Sequence, residues 1–118
     1  MRRAVDLREI SAGAWTSGTI WTEREGRDLN ANLVRFTRGE GVEGHVNGEL
    51  DVLFIGVSGS GVVEVDGREH VLESGVLVLA PRGTRRSTRS TSESFSYLTV
   101  HRRRGPVRLR SGQRGPNA

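Results

Sequence analysis

Asp66-Gly67 lies between two β-rich stretches, Val62-Val-Glu-Val65 and a return that begins at Val71-Leu72. An Asp-Gly pair in that setting favours a two-residue type I′ turn, whose central positions need φ > 0 and whose twist suits a hairpin. Similar punctuation recurs at Gly39-Glu-Gly41, Glu73-Ser-Gly75 and Pro81-Arg-Gly83. The intervening runs are short, and no segment of 11 or more residues carries an apolar stripe at helical spacing. Short β-rich runs divided by turn signals every 8–12 residues or so predict an all-β barrel or sandwich.

The expected strands cover 15–22, 29–38, 52–58, 62–65, 76–80 and 95–101, and Val5, Leu7 and Ile10 suggest a short edge strand within 1–14. Trp15 and Trp21, six apart, would share one strand face, and His70 would be an exposed hairpin residue. At 118 residues the chain suffices for one domain, placed at 1–104. Apolar content of 34% and aromatic content of 5% make its core small and aliphatic, which points to a homodimer that covers sheet edges. Residues 1–22, with the two Trp as anchors, are the expected contact.

There is no cysteine, so disulfides and thiolate metal sites are excluded. No apolar run approaches the roughly 20 residues of a membrane span. Charged Asp6, Arg8 and Glu9 follow Met1-Arg2-Arg3 where a signal peptide would be apolar, so a cytoplasmic protein is expected. The formal charge of +4 is unevenly spread. Residues 102–118 hold six Arg and no acid, whereas 1–101 hold twelve Arg against fourteen acids, a charge of −2. The basic end has no aromatic side chains for base stacking, which argues against nucleic-acid binding. Gly, Pro, Arg and Ser dominate 105–118, which reads as a basic, flexible C-terminal tail.

The stretch 39–86 carries the chemistry. Read as one strand, 39–51 places His45, Asn47, Glu49 and Asp51 on one side and Val46 and Leu50 on the other. The spacing Gly39, five residues, His45-Val-Asn47, three residues, Asp51 resembles the first motif of the cupins. Gly75, five residues, Pro81-Arg-Gly83, two residues, Arg86 resembles the second. The resemblance spans about residues 30–104 and implies a double-stranded β-helix (jelly-roll) barrel. One extra residue between Asp51 and Gly59 reads as a β-bulge at Gly56, or as a close packing contact there.

Metal-binding cupins hold their ion with three His and one Glu. Of that set this chain matches only the first, His45; Asn47 replaces the second His, Asp51 the Glu, and Arg86 the His of the second motif. Arginine offers only donors and a fixed positive charge. No metal or other cofactor is therefore favoured, and a divalent ion would have to use His45, Glu49 and Asp51. The expected replacement is a bidentate pair between Arg86 and Glu49 or Asp51, or else Arg86 aimed at an anionic ligand.

The expected ligand-binding residues are His45, Asn47, Glu49, Asp51, Arg86 and Tyr97. If the chain is an enzyme, His45 and Asp51 would move a proton while Arg86 stabilises negative charge. Tyr97, Thr99 and His101 alternate with Leu98 and Val100, and alternation alone leaves open which set faces inward. Adjacency to Arg102-Arg-Arg104 favours an outward or interface role for His101. The leading reading is a cupin that binds a small molecule in a polar barrel without a tightly held metal. The alternatives are a metal-dependent dioxygenase or isomerase and a structural protein with no ligand.

Overall fold

The computed structural model describes residues 4–103; the 105–118 tail lies outside the described residues. A seven-residue helix, α1 (Leu7–Gly13), precedes nine strands. These are β1 (Gly18–Thr22), β2 (Leu29–Thr37), β3 (Gly41–Val46), β4 (Val52–Ser58), β5 (Ser60–Val65), β6 (Arg68–Glu73), β7 (Leu77–Ala80), β8 (Arg85–Ser90) and β9 (Ser94–Arg102). Two antiparallel sheets face each other, one ordered β1-β2-β9-β4-β7 and the other β3-β8-β5-β6. The all-β jelly-roll expectation holds. No helix among the described residues is long and apolar enough to cross a membrane.

The Asp66-Gly67 turn forms as expected, with φ of 48° and 82°, and joins β5 to β6 with Val65 opposite Arg68. Both readings of Gly56 are met. The β4–β9 register slips between Gly56 and Ser58, so a bulge follows the glycine. A Cβ on Gly56 would lie 2.0 Å from the carbonyl oxygen of Glu73, so no other residue fits there without backbone movement.

Alternation along the strands fills the space between the sheets. Val34 and Phe36 from β2, Val52 and Phe54 from β4, Val63, Leu72, Val78 and Ala80 pack around Phe95 and Tyr97 of β9. The Tyr97 ring sits 5.2 Å from Phe95, 5.8 Å from Phe54 and 6.3 Å from Phe36, in tilted pairs that suit aromatic quadrupoles. Its hydroxyl reaches across the barrel to Thr88 Oγ1 on β8, at 3.0 Å. Burial pushes the Tyr97 phenol up to about 12, against the opposing effect of that hydrogen bond.

Three expectations are corrected. Residues 7–13 are helical, not an edge strand, because Asp6 caps the helix by accepting the Glu9 N–H (3.0 Å). Ser11 then packs on the outer face of the first sheet, its hydroxyl shared with Ser58 and Ser96. β1 begins at Gly18, so Trp15 lies outside the strand, 86% exposed, and does not share a strand face with half-buried Trp21. Finally, 39–51 is not one strand. β3 stops at Val46, and the Asn47 side-chain oxygen accepts the N–H groups of Glu49 (2.9 Å) and Leu50 (3.1 Å). Such a local turn offers the backbone an alternative to the ladder.

Candidate functional site

The pairing registers divide the barrel along its length. At one end Phe95 covers Gly61, which pairs with Ser90, and the next level joins Tyr97 to Thr88 and Val63. One step further along the inner face of β8 comes Arg86, paired with Val65 on one side and His45 on the other. On the first sheet the same direction along β9 leads from Tyr97 to Thr99 and His101, paired with Asn32 and Asn30 of β2. The interior thus passes from apolar to polar, and the candidate site is the polar end.

Arg86 is 1% exposed and, among the described residues, the largest fully buried side chain. The turn before β8 holds it: Nη2 donates to Pro81 O (2.9 Å) and Thr84 Oγ1 (3.3 Å), and Nε donates to Thr84 O (3.2 Å). Nη1 is buried and has no hydrogen-bond partner. Desolvation lowers the Arg86 pKa from its ordinary value, and the charges of Asp66 and Asp51 partly offset that shift. Gly83, in the left-handed region at φ 85°, lets the turn fold back so that its N–H meets Asn47 O at 2.7 Å. The Pro-x-Gly spacing read from sequence is therefore what pins the guanidinium.

His45 is half-buried beside Arg86, and its Nδ1 donates to Glu43 O at 3.1 Å. In the neutral ring this leaves the lone pair on Nε2. Asn47 is inside as expected, but it caps the 47–50 turn and does not extend a strand face. Glu49 and Asp51 are exposed at the rim. With Leu50, Arg82 and Arg102 they line an open pocket of about 520 Å³. Asp51 Oδ1 accepts the Arg82 N–H (2.8 Å), so the carboxylate expected beside Arg86 is committed to the turn backbone. Tyr97 is interior, one level deeper than Arg86, with its hydroxyl on Thr88.

His101 overturns its outward expectation, being 7% exposed and inward-facing with Thr99. Its Nδ1 donates to Arg102 O (3.0 Å), and the Asn30 amide approaches Nε2 at 3.5 Å. Phe95 and Tyr97 share its parity, and the two bulky rings could have fixed the inward set from sequence. Asn30 and Asn32, half-buried beside His101 and Thr99 on the neighbouring strand β2, carry no spacing signal in the sequence that marks them.

A resident metal does not fit this donor set. Among the described residues no three His, Asp or Glu side chains gather to hold an ion, and the fallback set of His45, Glu49 and Asp51 is split between interior and rim. Arg86 adds a buried positive charge beside His45, which repels a cation.

The sequence model of the cupin domain matches residues 32–101, more than half of the chain. The chain is a cupin. Solved structures agree on the fold. The cupin resembles KdgF from Halomonas sp. with 24% identity and a TM-score of 0.67, over 72% of this chain and 77% of that one. It resembles BH2720 from Bacillus halodurans with 17% identity and a TM-score of 0.74, over 90% and 85% of the two chains. A double-stranded β-helix protein from Klebsiella pneumoniae gives 17% identity and 0.71, over 86% and 90%. At these identities the likeness concerns the fold. No curated protein matches the sequence closely.

Proposed function

We propose that this cupin binds a small polar molecule at the barrel end between His45 and Arg86, without a resident metal ion. The observation that carries the reading is the buried guanidinium of Arg86, which stands at the motif position where metal-binding relatives place an imidazole. Polar side chains on both walls supply donors and acceptors for such a molecule, while the Phe and Tyr cluster fills the other end. Cupins host many activities, so the binding role is argued from these residues and not from the fold.

The test combines two measurements on protein purified without a His tag. Elemental analysis should find no stoichiometric transition metal, and thermal unfolding against a metabolite panel should find at least one molecule that raises the midpoint. A ligand selective for the folded state must do so by mass action. Stoichiometric metal that disappears in His45→Ala would instead support a metalloenzyme. No thermal shift with any compound would support a structural protein.

A second copy of the chain is the proposed partner. Leu77 and Leu79 on the outer face of edge strand β7 are 54% and 49% exposed, next to half-buried Leu53, Ile55, Leu98 and Val100. An apolar sheet face of this kind at an unpaired edge favours covering by another subunit.

A further inference from the structure

A guanidinium carries five N–H donors, and native structures rarely leave a buried polar group unmatched. Nη2 and Nε of Arg86 are engaged by the turn, while buried Nη1 has no partner. The two carboxylates whose charges reach Arg86 are both exposed and bonded elsewhere. Asp51 Oδ1 takes the Arg82 N–H, and Asp66 Oδ1 takes the Arg85 N–H, each at 2.8 Å. The site therefore holds a fixed, pre-oriented cation with one nitrogen, Nη1, and its two N–H groups unmatched, on the residue paired across the strands with His45.

We propose that Arg86 anchors a small monocarboxylate, one carboxylate oxygen accepting Nη1–H while the ligand's hydroxyl or carbonyl groups face His45, Thr99 and His101. The proposal rests on the reading of the barrel as a small-molecule site and names the ligand's chemical class. A monoanion fits better than a phosphate. Arg86 is the one buried arginine among the described residues. The rim sets Arg82 and Arg102 against Glu49 and Asp51 and so adds no net charge. Phosphate sites gather several donors, commonly at a helix N-terminus or a backbone nest, whereas one guanidinium edge suits a carboxylate. The carboxylate would give Nη1 a hydrogen-bond partner and place its own charge beside the one guanidinium that is buried among the described residues.

The test is calorimetric titration and thermal unfolding of the full chain with small monocarboxylates from acetate to gluconate. Inorganic phosphate, sodium chloride at equal ionic strength, and glycerol are the comparisons. The expected result is stabilisation by at least one monocarboxylate beyond chloride and phosphate. In Arg86→Met the affinity should fall about ten- to a hundred-fold, the usual loss for one charge-assisted hydrogen bond. Arg86→Lys keeps a charge without the planar fork and should lose at least about tenfold; it carries the test if the Met variant does not fold. Equal affinity in wild type and either variant would overturn the proposal, as would a preference for phosphate. Stabilisation by glycerol or other neutral molecules alone would overturn the carboxylate class while leaving the small-molecule reading in place. No stabilisation by any compound would overturn both.

Discussion

Removing the Tyr97 hydroxyl probes the bridge between the sheets at the boundary of the apolar and polar halves. In Tyr97→Phe the ring remains in its cluster with Phe36, Phe54 and Phe95, so neither a cavity nor an aromatic contact is lost. What goes is the 3.0 Å hydrogen bond to Thr88 Oγ1. Thr88 Oγ1 still accepts the Val42 N–H at 3.2 Å, so it is not left wholly unmatched. The expected cost is that of one net hydrogen bond, about 1 kcal/mol. For a domain near this size that lowers the thermal midpoint by about 4–8 °C. Tyr97→Ala, which also empties the centre of the cluster, should cost about 3–5 kcal/mol. Urea unfolding measures both, with an unchanged m-value as the check that only stability moved. The chain has one tyrosine, so ultraviolet titration adds an independent readout. Its phenol should ionise near 12, compared with 10 in the unfolded chain. Because the folded value is raised, Tyr97's contribution is complete below pH 10 and is lost as pH climbs toward 12. A Phe variant as stable as wild type, or a phenol titrating near 10, would refute the buried bridge.

Other perturbations address separate parts of the structure. Glu40 is held at a pKa of about 2, below its ordinary 4.5, by hydrogen bonds from the Ser17 hydroxyl and from the Thr37 N–H and hydroxyl. Its contribution is therefore present above pH 4.5 and lost as pH falls toward 2, and Glu40→Gln should flatten that part of a urea-midpoint-against-pH curve. Gly56→Ala places a methyl group 2.0 Å from Glu73 O and should cost about 1–3 kcal/mol in the same assay. Leu77→Arg with Leu79→Arg should yield monomers in sedimentation equilibrium where the wild type is dimeric. A monomeric wild type would contradict the proposed second copy.

Local turn chemistry was legible in the sequence, and it marked the β5–β6 hairpin and the end of β7. Asp66-Gly67 admits few conformations, and Pro81-Arg82-Gly83 sets both the end of β7 and the start of β8. The position of Arg86 followed from that spacing. Its partners did not follow, because a guanidinium can meet a carboxylate or a backbone carbonyl, and only the folded turn shows Pro81 O and Thr84 O within reach. The 47–51 segment misled for a related reason. Polar residues on every second position look like a strand face, yet Asn47 satisfies backbone N–H groups locally and ends the strand. Helix α1 left a readable trace in Asp6-Leu-Arg-Glu9, an acidic cap followed by Glu three residues on, but seven residues give too little apolar periodicity to register. The Arg102 to Arg104 run beside His101 suggests an exposed strand end, whereas its parity with Phe95 and Tyr97 turns it inward.

Electron density around Arg86 Nη1, in crystals of protein purified from its native host without added metal or ligand, tests the account most directly. The account predicts a small carboxylate within hydrogen-bonding distance of that nitrogen, with Nη2 still on Pro81 O. A transition metal bonded to His45, with the Arg86 side chain swung out of the barrel, would contradict it.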